Sequence, residues 1–388
     1  MNEVIAAHVS PSIRASVLAF DGPVVIMAGG TGGHIYPGIA VANAIKARFP
    51  MRSTPVMWLG SEGGLETELV PKAGLPIQTI SVSGLRGKGM LTRLAAPFKL
   101  LKACWQARRF FKEYQPSIVI GMGGFVAGPG GLMSKWLGIP LIVHEQNAVA
   151  GMTNRYLNRL ATVSLTAFPD ALPNGKTVGN PVRKSLTELD LPAERFLQRS
   201  GRLKLLVLGG SLGAQAINEC LPQALALMPE ADRPVVIHQT GHKTFEETRT
   251  AYEQAGIKAE VVDYIHEMDQ AYAWADLAVC RAGAMTIAEL TAVGLGSVLI
   301  PFPHAVDDHQ TLNADYLVKQ GGALLKQQAE LTPEWLAEHL ALFDNNRTAL
   351  VDMSSKAKLA AYPNALSDIV TTCYQVAMQA GHVRREGL

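Results

Sequence analysis

One short pattern occurs twice in this chain and limits its fold more than any other feature. Val24-Val25-Ile26-Met27-Ala28 runs into Gly29-Gly30-Thr31-Gly32-Gly33, and Leu205-Leu206-Val207-Leu208 runs into Gly209-Gly210-Ser211-Leu212-Gly213. Each copy reads as an apolar strand, a Gly-Gly turn, a hydroxyl residue, any residue, a glycine and then a helix. The copies begin one domain length apart. Further short runs rich in Val, Ile and Leu follow each copy, at 56–59, 118–121 and 140–144 and again at 235–238, 261–263, 277–280 and 298–301. Near-continuous apolar runs of this length mark strands buried on both faces. Their alternation with helical segments predicts parallel α/β layers. The expected division is a loose extension over 1–21, a first domain over 22–182 and a second over 183–360. The joint falls at Gly179-Asn180-Pro181-Val182-Arg183, where Gly and Pro break the pattern.

Composition narrows the function classes. With 388 residues, 48% hydrophobic and 18% charged, the chain is long and apolar enough for two buried cores. A net charge of +2 excludes nucleic-acid binding driven by overall charge. The four cysteines form no CxxC pair, which fits a reducing compartment better than a zinc knuckle or disulfide framework. The first twenty residues lack the basic and apolar regions of a secretory signal. The longest stretch without Asp, Glu, Lys or Arg, 22–45, carries six glycines and two prolines and so does not read as a membrane helix.

Glycines at a strand-to-helix turn let backbone N–H groups approach a ligand, and the helix N-terminus behind them favours negative charge. Two such loops, with a third glycine-rich segment at 121–131, point to a diphosphate site; a tight turn with close helix packing is the alternative. Neither loop fits GxGxxG, so the dinucleotide fingerprint is missing, and Gly175-Lys176-Thr177 lacks the upstream glycine of a P-loop. His34 stands at the expected helix start, where the helix dipole favours a neutral imidazole able to take a proton. Capping or packing at the turn is its other role. His144-Glu145-Gln146-Asn147 and the stretch 280–289 follow strands, at the strand ends where open α/β sheets bind ligands. Glu289 falls about one and a half turns into its helix, placed to accept ribose hydroxyls or to partner the helix dipole. Residues 301–310 combine two His and two Asp, but without zinc-helix spacing, so no metal is expected and sugar hydroxyls are the better partners.

Taken in order, Gly29-Gly30-Thr31-Gly32-Gly33-His34, Gly123-Gly124-Phe125-Val126, His144-Glu145-Gln146-Asn147, Gly179-Asn180-Pro181-Val182-Arg183, Gly209-Gly210-Ser211, Cys280-Arg281-Ala282-Gly283-Ala284 and Asp307-Asp308-His309-Gln310 resemble the MurG family of bacterial peptidoglycan N-acetylglucosaminyltransferases, from about residue 22 to the C-terminus. The resemblance implies a GT-B fold, two Rossmann-like domains with parallel sheets facing across a cleft. It places the lipid-linked acceptor on the first domain, UDP-N-acetylglucosamine on the second, and the final segment, 361–388, back on the first. Carried over residue by residue, it implies donor contacts at Thr31, Gly32, Gly33, Asn147, Arg183, Ser211, Ile265 (uracil, through its backbone), Ala284, Met285, Thr286, Ile287, Ala288, Glu289 and Gln310. No cofactor is implied.

The expected reaction is an inverting transfer of N-acetylglucosamine to the 4-hydroxyl of the muramyl sugar of undecaprenyl-pyrophosphoryl-N-acetylmuramyl-pentapeptide, with His34 as base. A UDP-sugar 2-epimerase of similar architecture is the rival, and it needs no lipid acceptor. The interval 69–112 holds nine basic residues and no acid, so the rest of the chain sums to −7. That asymmetry predicts peripheral attachment to the anionic cytoplasmic face of the inner membrane. The expected contacts are Leu85, Arg86, Lys88, Met90, Leu91 and Arg93. The apolar stripe through Leu94, Phe98, Leu101, Trp105 and Phe111 is expected to be mostly core.

Overall fold

The computed structural model describes residues 17–49, 56–82, 96–197, 199–210 and 213–386. Its strands are β1 (Val17–Phe20), β2 (Val24–Ala28), β3 (Val56–Ser61), β4 (Ile77–Ile80), β5 (Ile118–Gly123), β6 (Leu141–Glu145), β7 (Val163–Thr166), β8 (Lys176–Thr177), β9 (Lys204–Leu208), β10 (Val235–Gln239), β11 (Glu260–Val262), β12 (Leu277–Cys280), β13 (Ser297–Leu299), β14 (Ala323–Leu325) and β15 (Val383–Glu386). They fall in two compact units, one of residues 1–143, 159–163 and 370–388 and the other of 144–158 and 164–369.

In the first unit the parallel strands run β4-β3-β2-β5-β6. Every residue of β2 and β5 is buried, as the unbroken apolar runs require. The strand order turns back between β2 and β5, and open α/β sheets bind ligands at such a switch point. The register slips by one residue there, between Met27 and Ala28, so β5 carries an extra residue beside the first glycine loop. Trp58, fully buried, donates its indole N–H to the Ala28 carbonyl at 2.9 Å and pins the end of β2.

The expected loose extension is ordered where it is described. β1 pairs antiparallel with β15, and Phe20 is buried edge-on against Phe49, with ring centroids 5.3 Å apart. Phe49 in turn stacks on Tyr374 of the helix Ala365–Gln379. Burial of aromatic surface, invisible in a segment this short, holds the two chain ends together.

The second unit carries the order β11-β10-β9-β12-β13-β14, all parallel. Counted from β9, this is the 3-2-1-4-5-6 doubly wound order, with its switch point between β9 and β12. Alternation along the strands builds two core layers. Leu205, Val207, Leu277, Val279 and Val298 pack on one face, and Leu206, Leu208, Ala278, Cys280 and Leu299 on the other. Hydrogen bonds tie Asn147, Ala148 and Asn180 to residues beyond 280 within this unit, as described below.

Candidate active site

In the first unit, β2 delivers the loop 29–33 to the switch point, and the helix Gly32–Arg48 starts within it. Thr31 and Gly33 are exposed. The Nδ1 of His34 lies 3.2 Å from the Gly29 carbonyl oxygen. A carbonyl only accepts, so Nδ1 donates, and in the neutral imidazole this places the lone pair on Nε2. Two glycines at the end of β5 make room for this arrangement. Both have φ in the left-handed range, +107° at Gly123 and +82° at Gly124. A Cβ on Gly123 would lie 2.9 Å from the His34 ring, and one on Gly124 would lie 2.4 Å from the Gly29 oxygen. The third glycine-rich segment thus shapes the seat of the histidine.

Beneath the loop lies Glu66, a fully buried carboxylate with no place in any sequence motif. It accepts from the Gly30 N–H at 3.2 Å, the Ser61 N–H at 2.8 Å and the Ser61 hydroxyl at 2.5 Å. A Cβ at Gly29, Gly60 or Gly64 would come within 2.4–2.8 Å of it. Nothing in the sequence separates it from its neighbours Glu62 and Glu68 in the segment that follows Ser61.

In the second unit three motifs distant in sequence converge. The Asn180 amide donates to the carbonyls of Gln146, at 3.0 Å, and Ala284, at 3.4 Å. Asn313 receives the Ala148 N–H at 2.8 Å and donates to the Asn147 side chain at 3.3 Å and the Ala282 carbonyl at 3.2 Å. Asn180 and Asn313 act as brackets between loops.

His144 and Glu145 are builders of the loop. His144 is fully buried, its Nε2 donating to the Gly179 carbonyl at 3.0 Å and its Nδ1 accepting from Gln146. Burial pushes its pKa down to about 4, so it stays neutral. Glu145 accepts from the N–H groups of Asn147 and Gly151 and from the Asn154 amide. The expected run of four polar residues facing a ligand therefore reduces to Asn147, because the three before it are buried.

Glu289 lies in the helix Ala284–Val293, with Arg183 3.8 Å from one carboxylate oxygen and the Tyr272 hydroxyl donating to the other at 3.0 Å. Burial raises its pKa, against the pull of Arg183 and Tyr272. Ala284 and Ile287 turn their side chains into the core, so only their backbones are available to a ligand, while Met285, Thr286 and Ala288 are partly exposed. Arg281 donates to the carbonyls of Ile300 and Pro301 and to Gln328, which spends it on loop structure. The Ile265 N–H donates to the buried Gln239 side chain at 3.1 Å, and Gln310 accepts from the Phe302 N–H at 3.0 Å. Ser211 lies outside the described residues, as do Leu85, Arg86, Lys88, Met90, Leu91 and Arg93. Among the described residues no group of three or more His, Cys, Asp or Glu is placed to hold a metal ion.

Residues 24–166 match the glycosyltransferase family 28 N-terminal domain, and residues 204–369 match the family 28 C-terminal domain. The chain belongs to glycosyltransferase family 28. Two relatives carry the name UDP-N-acetylglucosamine--N-acetylmuramyl-(pentapeptide) pyrophosphoryl-undecaprenol N-acetylglucosamine transferase. The protein from Marinobacter nauticus is 49% identical over 91% of this chain and 97% of its own length. The protein from Saccharophagus degradans is 51% identical over 91% of each. Among solved structures, Acinetobacter baumannii MurG is 40% identical with a TM-score of 0.81, covering 91% of this chain and 99% of its own. A Neisseria meningitidis UDP-GlcNAc 2-epimerase matches with a TM-score of 0.62 at 10% identity over 91% of this chain and 100% of its own, a likeness of fold alone. The family 28 chain is thus a glycosyltransferase of two parallel α/β domains, as the ordered motifs imply.

Proposed function

We propose that this family 28 enzyme transfers N-acetylglucosamine, with inversion, from UDP-N-acetylglucosamine to the 4-hydroxyl of the muramyl sugar of undecaprenyl-pyrophosphoryl-N-acetylmuramyl-pentapeptide. The names of relatives near half identity over nine-tenths of the chain support this substrate pair. The observation that carries the chemistry is the bond from His34 to the Gly29 carbonyl. It leaves Nε2 as the basic nitrogen, which takes the proton from the acceptor hydroxyl as that oxygen attacks the anomeric carbon. The bond from the anomeric carbon to the diphosphate oxygen breaks, and UDP leaves with the electron pair.

Most donor residues belong to the second unit, joined by Thr31, Gly32 and Gly33 of the first. Glu289 takes the ribose hydroxyls, the backbone of Ile265 reads uracil, and Gln310 and Asn147 meet the sugar. The N-terminus of the helix Ala284–Val293 and the amides of the loop 209–213 offset the charge that grows on UDP. Arg183 lies beside Glu289 and adds a cation there. Thr31 and Gly33 are exposed beside the base, with Gly32 partly exposed between them.

Peripheral attachment to the cytoplasmic membrane face is part of the same proposal. No described helix is long and apolar enough to cross a membrane. The expected core stripe on the helix Ala96–Tyr114 is instead divided. Ala103, Cys104, Ala107, Phe110 and Phe111 are buried, whereas Phe98 is 73%, Leu101 67% and Trp105 59% exposed. Lys99 and Lys102 flank these exposed side chains, a mixture suited to an anionic bilayer surface.

The deciding experiment supplies labelled donor with and without a synthetic muramyl-diphosphate lipid, each with and without chelator. Labelled disaccharide-lipid formed only with the acceptor is expected. Isomerised UDP-sugar without acceptor would favour the epimerase, and complete dependence on a divalent ion would overturn a metal-free mechanism.

A further inference from the structure

We propose that Glu66 is a positioning residue for the base, acting through the Gly29–Gly30 peptide. The two hydrogen bonds that frame this peptide belong to one planar unit. Its N–H donates to Glu66 Oε2 at 3.2 Å, and its C=O accepts from His34 Nδ1 at 3.2 Å. No described peptide bond is cis. In a trans peptide the N–H and C=O point in opposite directions, so fixing one fixes the other. Glu66 on one side therefore sets which way the carbonyl faces His34 on the other.

The lock matters because the unit lies between two glycines. Gly30 has φ +93°, and glycines cross between backbone regions at little cost. A flipped peptide would turn its N–H toward His34. An N–H there would favour a lone pair on Nδ1 and leave the proton on Nε2, the wrong tautomer for a base. The carboxylate is well made for the task. It is fully buried, and Ser61 saturates its second oxygen with two donors, so the free energy of an unmet buried charge opposes any flip. Gly29, Gly60 and Gly64 give it space that no other residue would leave. The orientation of the Gly29–Gly30 carbonyl, and through it the His34 ring, thus depends on a carboxylate buried beneath the loop.

This inference rests on His34 as the base, so its test needs a readout independent of turnover. Imidazole 15N shifts in full-length protein report the tautomer, with His34→Ala identifying the signal. The wild-type enzyme is expected to show the Nδ1–H form. Glu66→Gln keeps the shape, but its NH2 must face either the Gly30 N–H or the Ser61 N–H. A mixed tautomer is expected, with kcat down about 10-fold to 100-fold and the KM for UDP-N-acetylglucosamine unchanged. If Glu66→Gln fails to fold, Glu66→Asp keeps the charge while withdrawing it from Gly30, and the same mixing is expected. An unchanged Nδ1–H tautomer in a folded variant overturns the proposal, even where kcat falls. Full turnover by His34→Ala overturns the base assignment instead, and the tautomer of the Glu66 variants still decides whether the acid holds the peptide.

Discussion

The two glycine loops look alike in sequence and are backed by opposite chemistry. Behind the loop 29–33 stands a buried carboxylate, which consumes the Gly30 N–H. Behind Gly209 and Gly213 of the second loop stands a neutral network. The Asn218 amide donates to the Thr240 carbonyl at 3.1 Å and to the Thr244 hydroxyl at 3.0 Å, while its oxygen accepts from His238 Nε2 at 3.0 Å. His238 Nδ1 accepts from the Tyr252 hydroxyl at 2.9 Å. An anion set behind a loop discourages a second anion in front of it; neutral dipoles do not. On the proposed function, the same strand-turn-helix device would aim a side chain in one unit and present amides to a diphosphate in the other. Sequence pattern shows the device, and the groups behind it decide its use.

The largest effects should separate the loops by what they lose. His34→Ala should lower kcat by about 10²- to 10⁴-fold with UDP affinity retained; turnover near wild type would break the contrast at once. Gly123→Ala places a methyl against the His34 ring at a φ that disfavours it, so a fall in kcat of about 100-fold is expected, again without loss of UDP binding. In the second loop, a Cβ on Gly213 would lie 2.6 Å from both the Thr240 carbonyl and the Thr244 hydroxyl. Gly213→Ala should therefore weaken UDP binding about 10-fold, equivalent to ~1.4 kcal/mol, as measured by titration calorimetry. If Gly123→Ala weakened UDP binding instead, the two loops would not have divided the work.

Much of this was legible in the residues. The repeated strand–Gly-Gly pattern and the β-branched runs announced both sheets, because a strand buried on both faces has little freedom in composition. His34 and Asn147 stood out because polar residues at strand ends are few, and Glu289 because it is the one acid in an apolar helix that follows a strand. Glu66, Asn313 and Gln239 did not, since their roles depend on bonds that close only when distant strands align. The same limit hid the pairing of Val17–Phe20 with Val383–Glu386, which no local pattern specifies. The helix Ala96–Tyr114 departs from its sequence pattern for a different reason. Periodicity finds an apolar stripe but not its width, and here the stripe is wider than the face that is buried.

That surplus apolar surface yields a smaller effect, specific to the first unit. Phe98→Ser with Trp105→Ser should weaken binding to anionic vesicles several-fold, since each buried side chain contributes ~1.5–3 kcal/mol only when fully removed from water. UDP affinity should not change. Binding should also fall with salt, and equal binding to neutral vesicles would remove the electrostatic part of the proposal.

The smallest effect tests whether the backing of the second loop is neutral, as the comparison requires. Burial pushes the pKa of His238 down to about 3 and that of His144 to about 4, from an ordinary value of 6.5. The unfolded chain takes protons on these imidazoles below pH 6.5, while the folded chain does not until far lower. The unfolded state then binds more protons, so stability is full above pH 6.5 and falls as the solution is acidified toward each folded value. Each imidazole adds at most one proton to the slope, ~1.4 kcal/mol per pH unit. His238→Gln keeps a donor for Asn218 and an acceptor for Tyr252 but cannot titrate. Denaturant unfolding between pH 6 and pH 4 should show a shallower loss of stability in this variant, while His144 keeps its share of the slope. An unchanged slope would mean that His238 takes a proton in the folded protein, which would place a cation behind the second loop and end the contrast between a charged backing and a neutral one.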